Sequence, residues 1–290
     1  MKSIALSLLI VGLISTANPL LANNRAENQR ITVVAAPDPA EQIRDLARLL
    51  RSNDLAGLIQ ATVPPSHYAQ IRQAYELHRM QPITEKERAE FAEGLGKLSA
   101  PDAVDRLMIE IEPKLVEARP KVPAAVMMGL GALQIAVLSD DNHLTTAQRA
   151  SLQQALPGVQ QWASTTDFLS SLSMRQALTL IADAVRNTGI RSVDELKLMS
   201  FEQVLAKAEY MVAASKQALL IYGLDLNAIA DSIQVEVLAI NGSTARVRTT
   251  VTVFDAPIAA EHDLVLLDGR WYGREAVEHW SKHTARHAQG

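Results

Sequence analysis

The stretch Ile233-Gln234-Val235-Glu236-Val237-Leu238-Ala239-Ile240-Asn241-Gly242-Ser243-Thr244-Ala245-Arg246-Val247-Arg248-Thr249-Thr250-Val251-Thr252-Val253 decides the fold. Ile233, Val235 and Val237 alternate with polar partners. Ala245, Val247, Thr249, Val251 and Val253 alternate with Arg246, Arg248, Thr250 and Thr252. A period of two sends successive side chains to opposite faces of a strand. Asn241-Gly242 lies between the two runs and suits a type I′ hairpin turn, whose central residues both need φ above zero. Asp255-Ala256-Pro257 breaks the second strand, residues 264–267 form a third, and Asp268-Gly269 turns the chain into Arg270-Trp271-Tyr272. The prediction is an antiparallel meander of three to four strands with one apolar face. So small a sheet cannot bury that face by itself. It needs helices as its lid, and the nearest is the helix read over residues 200–222.

Upstream of Leu226 the period is that of helices. Asp38 caps the first, with Pro39 at its first position, and Ile43, Leu46, Ala47 and Leu50 mark one face. Thr84 with Glu87, Thr145 with Gln148, Ser173 with Gln176, Ser192 with Glu195 and Ser200 with Gln203 have capping-box spacing. Pro64-Pro65 and Pro157-Gly158 read as stops, and Pro113 as a kink or early end. From Ala124 to Leu138 only Gln134 is polar. A helix apolar on every side is buried on every side, which makes this the expected central helix of the bundle. As a membrane-inserting segment it would rise about 22 Å, short of the ~30 Å hydrocarbon layer. The expected fold class is α+β: a large all-helical body, then a small C-terminal antiparallel meander and a terminal helix.

Lys2, an uncharged apolar stretch at residues 4–14 and small residues to Ala17 or Ala22 have the layout of a secretory signal peptide. The expected organisation is a signal peptide over residues 1–22, a flexible lead-in over 23–37, a helical body over 38–165, and helices plus sheet sharing one core over 166–290. The expected location is the periplasm, with no stable membrane span once the signal is removed. Apolar residues make up 48% of the 290, enough for a real core. With 28 basic against 32 acidic residues the formal charge is −4, which argues against a nucleic-acid partner. The absence of cysteine excludes thiol catalysis, disulfides and zinc ribbons.

Few polar patterns point to chemistry. Glu275, His279, His283 and His287 recur every four residues, and an i, i+4 pair such as His279 and His283 can chelate a divalent transition metal; the alternative is a solvated tail. His67 and Tyr68 at a helix entrance, or His262 with a carboxylate, could serve as an acid–base pair; a turn histidine explains His67 as well. His78 reads as a core-edge histidine. Asp140-Asp141-Asn142-His143 lacks the glycine and distal glutamate of a calcium loop. Glu90, Glu93, Glu110, Glu112 and Glu117 could pair for hydrolysis, or simply wet the outer helix faces. No nucleophile elbow, phosphate loop or zincin helix is present, and no cofactor is expected. Arg246 and Arg248 share a strand face and could hold an anion or an acidic partner. Trp271 and Tyr272 point to opposite faces, so one should be buried and the other available to a ligand.

The run from Ser232 to Gly273, closing on Leu267-Asp268-Gly269-Arg270-Trp271-Tyr272, resembles the last strands of small exported domains ending in Asp-Gly-Arg/Lys-Trp-Tyr, NTF2-like domains among them. Phe91-Ala92-Glu93, Ser99-Ala100-Pro101-Asp102-Ala103 and Ile111-Glu112-Pro113-Lys114-Leu115 resemble uncharacterised exported proteins of Gram-negative bacteria. The resemblance implies a periplasmic location and no established activity. The sequence therefore points to a non-enzymatic binding protein that takes an envelope protein partner or an apolar small ligand where helices and sheet meet. The alternatives are a hydrolase using helix-borne carboxylates and a histidine, and a metal-binding protein using its C-terminal histidines.

Overall fold

A computed structural model describes residues 37–139 and 146–278. The helical body comprises α1 (Pro39–Ser52), α2 (Leu55–Thr62), α3 (Pro65–Met80), α4 (Glu85–Ser99), α5 (Ala103–Ala118), α6 (Val122–Leu138), α7 (Thr146–Thr165), α8 (Ser171–Thr188), α9 (Val193–Leu198), α10 (Phe201–Ile221) and α11 (Leu226–Asp231). The sheet comprises β1 (Gln234–Asn241), β2 (Thr244–Val253), β3 (Ala256–Leu267) and β4 (Arg270–Gly273), paired antiparallel in chain order. Residues 274–278 turn helical again. The chain is α+β, a helical body followed by an antiparallel sheet.

Side-chain caps set the helix starts. Asp38 accepts from the Ala40 amide at 2.9 Å, and Thr84–Glu87 and Ser200–Gln203 form complete capping boxes. Two expected stops are not stops. Pro157 lies inside α7, which runs on to Thr165. Pro113 lies inside α5, and a short 3-10 turn at Arg119–Lys121 carries α5 straight into α6. Ala103–Leu138 is thus one helical rod of 36 residues. Helix α8 begins a turn earlier than its sequence suggests, capped by Ser170 rather than Ser173.

The first hairpin differs from its expected form by one residue. Asn241 pairs with Thr244, so the loop is Gly242-Ser243, and of these only Gly242 has positive φ, as a type II′ turn requires. A bulge between Val237 and Ala239 shifts the register by that one residue. The break at Asp255 is a tight turn instead: Phe254 (φ 49°) and Asp255 (φ 62°) form its two loop residues, and β3 starts directly at Ala256. A bulky residue at positive φ is strained. Trp162 of α7 stacks on Phe254 at 4.9 Å, and Gly158 lets the turn come so close that a Cβ there would sit 2.5 Å from the Phe254 carbonyl oxygen.

Ala245, Val247, Leu264 and Trp271 form the buried sheet face, joined by Ile43 of α1. The lid is α1 together with α7 and α11; α10 packs on α8 instead. A side-chain clamp secures α1 to the sheet edge. The Gln42 amide nitrogen donates to the Trp271 carbonyl, and the Trp271 amide donates to Gln42 Oε1 at 3.0 Å, so Gln42 does for β4 what a fifth strand would do. At the other end of α1, the buried Lys216 of α10 donates to the carbonyls of Leu50 (2.8 Å) and Arg51 (3.1 Å) and to Asn53 Oδ1 (2.8 Å). Desolvation lowers the pKa of its ammonium, and those three acceptors oppose the loss of charge.

Candidate functional site: an exposed apolar helix

Helix α6 carries no charged residue along its 17 positions. It was expected at the centre of the bundle, and the structure corrects this. Met127 (75% exposed), Met128 (73%) and Ile135 (71%) lie open, and Val137 is its one buried residue. Helix α5 packs on α4 and α8 and buries Ala103, Met108 and Leu115. The rod then leaves the body, and among the described elements α6 rests on α7 and on the turn that precedes it. Small residues elsewhere fill the bundle interior, notably Ala182 at 0% and Ala103 at 1% exposure, so no room is left there for a Met- and Leu-rich helix.

The polar residues flanking α6 are tied down. Lys121 pairs with Glu117 at 3.2 Å. Arg119 reaches Asp167 at 3.4 Å and donates to the Leu169 carbonyl at 3.0 Å. These bonds fix the root of α6 to the start of α8. By length and composition the rod holds one stretch of 18 residues apolar enough to cross a membrane. Its uncharged part alone spans about 25 Å, less than the ~30 Å of hydrocarbon, and extending it backwards brings in Lys121, Arg119 and Glu117.

The residues singled out as ligand-binding have protein partners. Arg246 pairs with Asp263 at 2.9 Å, and Arg248 bridges Glu236 (3.0 Å) and Glu261 (2.8 Å), a cross-strand ladder on the outer face. These carboxylates push both arginine pKa values up. Trp271 and Tyr272 point to opposite faces, yet both are 3% exposed, so neither is open to a ligand. The Trp271 indole donates to the Pro37 carbonyl at 2.7 Å. Burial raises the Tyr272 pKa, and its hydroxyl is buried with no hydrogen-bond partner among the described residues.

The hydrolase candidates are dispersed. His262 shares a hydrogen bond of 2.9 Å with the Thr249 hydroxyl, and burial pushes its pKa down, so it is held as neutral imidazole. His67 lies 3.4 Å from Ser66 Oγ, and His78 is exposed rather than at a core edge. Glu90, Glu93 and Glu117 pair with lysines one turn away on open helix faces. His279 and His283, like the Asp140–His143 run and the signal segment, lie outside the described residues. Among the described residues no cluster of three His, Asp or Glu could hold a metal ion.

Sequence reasoning missed the Gln42 clamp and the Lys216 cap, which join residues far apart in the chain and leave no local signal. It found α6 but assigned its partner wrongly: all-round apolarity says that a helix is to be covered, not that its own chain covers it. Such an arrangement offers apolar contact area rather than a proton donor, a nucleophile or a metal site. No family model matches the chain, and no curated protein and no solved structure is detectably similar to it.

Proposed function

We propose that the protein works by binding rather than by chemistry, in the periplasm to which its leader pattern directs it, and that α6 is its docking element. The observation carrying this reading is the exposure of Met127, Met128 and Ile135 on a helix without a single charge. Exposed apolar patches of that kind mark interaction sites. Methionine suits the role, because its unbranched side chain adapts to an irregular partner surface. The docking surface is thus an outward helix, not the crevice between helices and sheet. The 17 uncharged residues of α6 are at the short end for a membrane span, and Arg119 at their root is held to Asp167 and Leu169 of the body, which supports a protein partner in preference to a bilayer.

A photoreactive side chain placed at Met128 in living cells tests this. It is expected to form adducts that are missing when the same group replaces Arg246, out on the salt-bridged sheet face. Equal adduct yields at the two sites would refute the assignment of α6.

A further inference from the structure

We propose that the partner of α6 is a second copy of the same chain, with the two α6 helices packed antiparallel about a two-fold axis near their middle. This rests on the docking reading above and names the occupant.

At 100° per residue, Val122, Val126, Leu130 and Val137 fall on the side that rests on α7, in keeping with their lower exposure. Ala124, Met128, Gly131 and Ile135 fall on the opposite side; three of them are exposed and Gly131, set between larger neighbours, is half-buried. Their order is small, large, small, large. Inverting one copy about the midpoint sets Ala124 against Ile135 and Met128 against Gly131, each large side chain over a small one. The space is there: nothing lies within 4 Å of where a Cβ on Gly131 would be. A parallel pair would instead set Met128 on Met128 and leave a void at Gly131. An isologous contact needs a surface complementary to itself, and only the antiparallel pair provides it.

Charge agrees with shape. The same inversion brings Lys121, exposed beside its own Glu117, next to Leu138, where the last carbonyls of α6 carry the negative end of the helix dipole. Area sets the scale of the contact. A helix about 10 Å across and ~25 Å long has roughly 800 Å² of lateral surface, and one helix laid along its open side covers about a third of it, ~270 Å² on each copy. That is about a third of the ~800 Å² each partner gives to a standard interface, so the paired α6 helices make a small contact and a weak dimer.

The chain has no cysteine, which makes single-cysteine linking clean. The full chain should sediment as a dimer at tens of micromolar, and Met128→Lys should weaken that dimer about 30-fold or more while its thermal unfolding stays that of the parent. With a short bismaleimide, a mixture of Ala124→Cys and Ile135→Cys proteins should give a linked heterodimer, and neither protein alone should link. Self-linking of Ala124→Cys would overturn the antiparallel pairing. A monomer that floats with phosphatidylethanolamine–phosphatidylglycerol vesicles would overturn the second copy in favour of lipid. Where the chain is monomeric, maleimide labelling of Met128→Cys separates the two failures. Fast labelling overturns the second copy and leaves the docking helix standing; labelling only on unfolding overturns both.

Discussion

Replacing Gln42 by leucine tests whether sheet and helices share one core. The change keeps the side-chain volume close to native and removes both hydrogen bonds to Trp271. The Trp271 amide and carbonyl on the outer edge of β4 then lose their partners in a place where Trp271 is 3% and Gln42 8% exposed. A buried polar group left without a partner costs about 1–3 kcal/mol, so two cost ~2–6 kcal/mol, and the extra apolar contact of leucine returns about 1 kcal/mol. The expected net loss is about 3 kcal/mol. For a domain of this size, each kcal/mol moves the midpoint by about 2–4 °C, giving a Tm drop of roughly 6–12 °C. Thermal unfolding followed by circular dichroism reads it, with Gln73→Leu on the exposed face of α3 as the control. Tryptophan fluorescence should redden in the same transition by an amount that a Trp271→Phe background removes, since the Trp271 indole bond to Pro37 depends on α1 staying seated. A Gln42→Leu protein within 1 kcal/mol of the parent would show that β4 does not need α1, and the shared core would have no basis.

Two further outcomes follow from the same contacts. Gly158→Ala places a Cβ 2.5 Å from a backbone oxygen of the strained Phe254 turn, so backbone must move, and a loss of about 1–3 kcal/mol is expected in urea unfolding; an unchanged midpoint would mean that the turn is not seated on α7. His262 has its pKa lowered by burial, so the unfolded chain binds its proton first as pH falls. Stability is then complete above the ordinary histidine pKa of about 6.5 and declines below it by up to ~1.4 kcal/mol per pH unit until the folded-state pKa is reached. His262→Gln should flatten that part of the stability–pH curve, and an identical slope in both proteins would remove His262 as its source.

What was legible in the sequence was whatever repeats locally. The alternation of Val235, Val237, Val247 and Val251 gave away the strands, and the caps at Asp38, Thr84 and Ser200 gave away the helix starts. Asp268-Gly269 turned where its φ preferences say it should, with φ of 50° and 76°. Asn241-Gly242 did not, because the bulge in β1 consumed one residue before the turn and handed the loop to Gly242-Ser243. Pro157 failed as a stop because Gly158 and Trp162 just beyond it gain a tertiary contact with Phe254 that outweighs the lost helical bond. The location of α6 was hardest to read. Composition reports that a surface avoids water but carries no information about which chain does the covering.

That gap has an energetic side. Met127, Met128, Leu133, Ile135 and Leu138 together leave open the equivalent of about three whole apolar side chains. At ~1.5–3 kcal/mol for burying each, a bare α6 forgoes about 5–9 kcal/mol, comparable with the entire ~5–15 kcal/mol that holds a typical domain folded. The rod tolerates this because α5 buries Met108 and Leu115, packs on α4 and α8, and carries α6 outward with it. Pairing two copies recovers part of the sum from each, against an association cost of about 4–15 kcal/mol. With terms so nearly matched, buried area does not settle the strength of the contact; the fit of Met128 over Gly131 and of Ile135 over Ala124 does. One charge on that ridge is therefore enough to part the copies while leaving the core of each untouched.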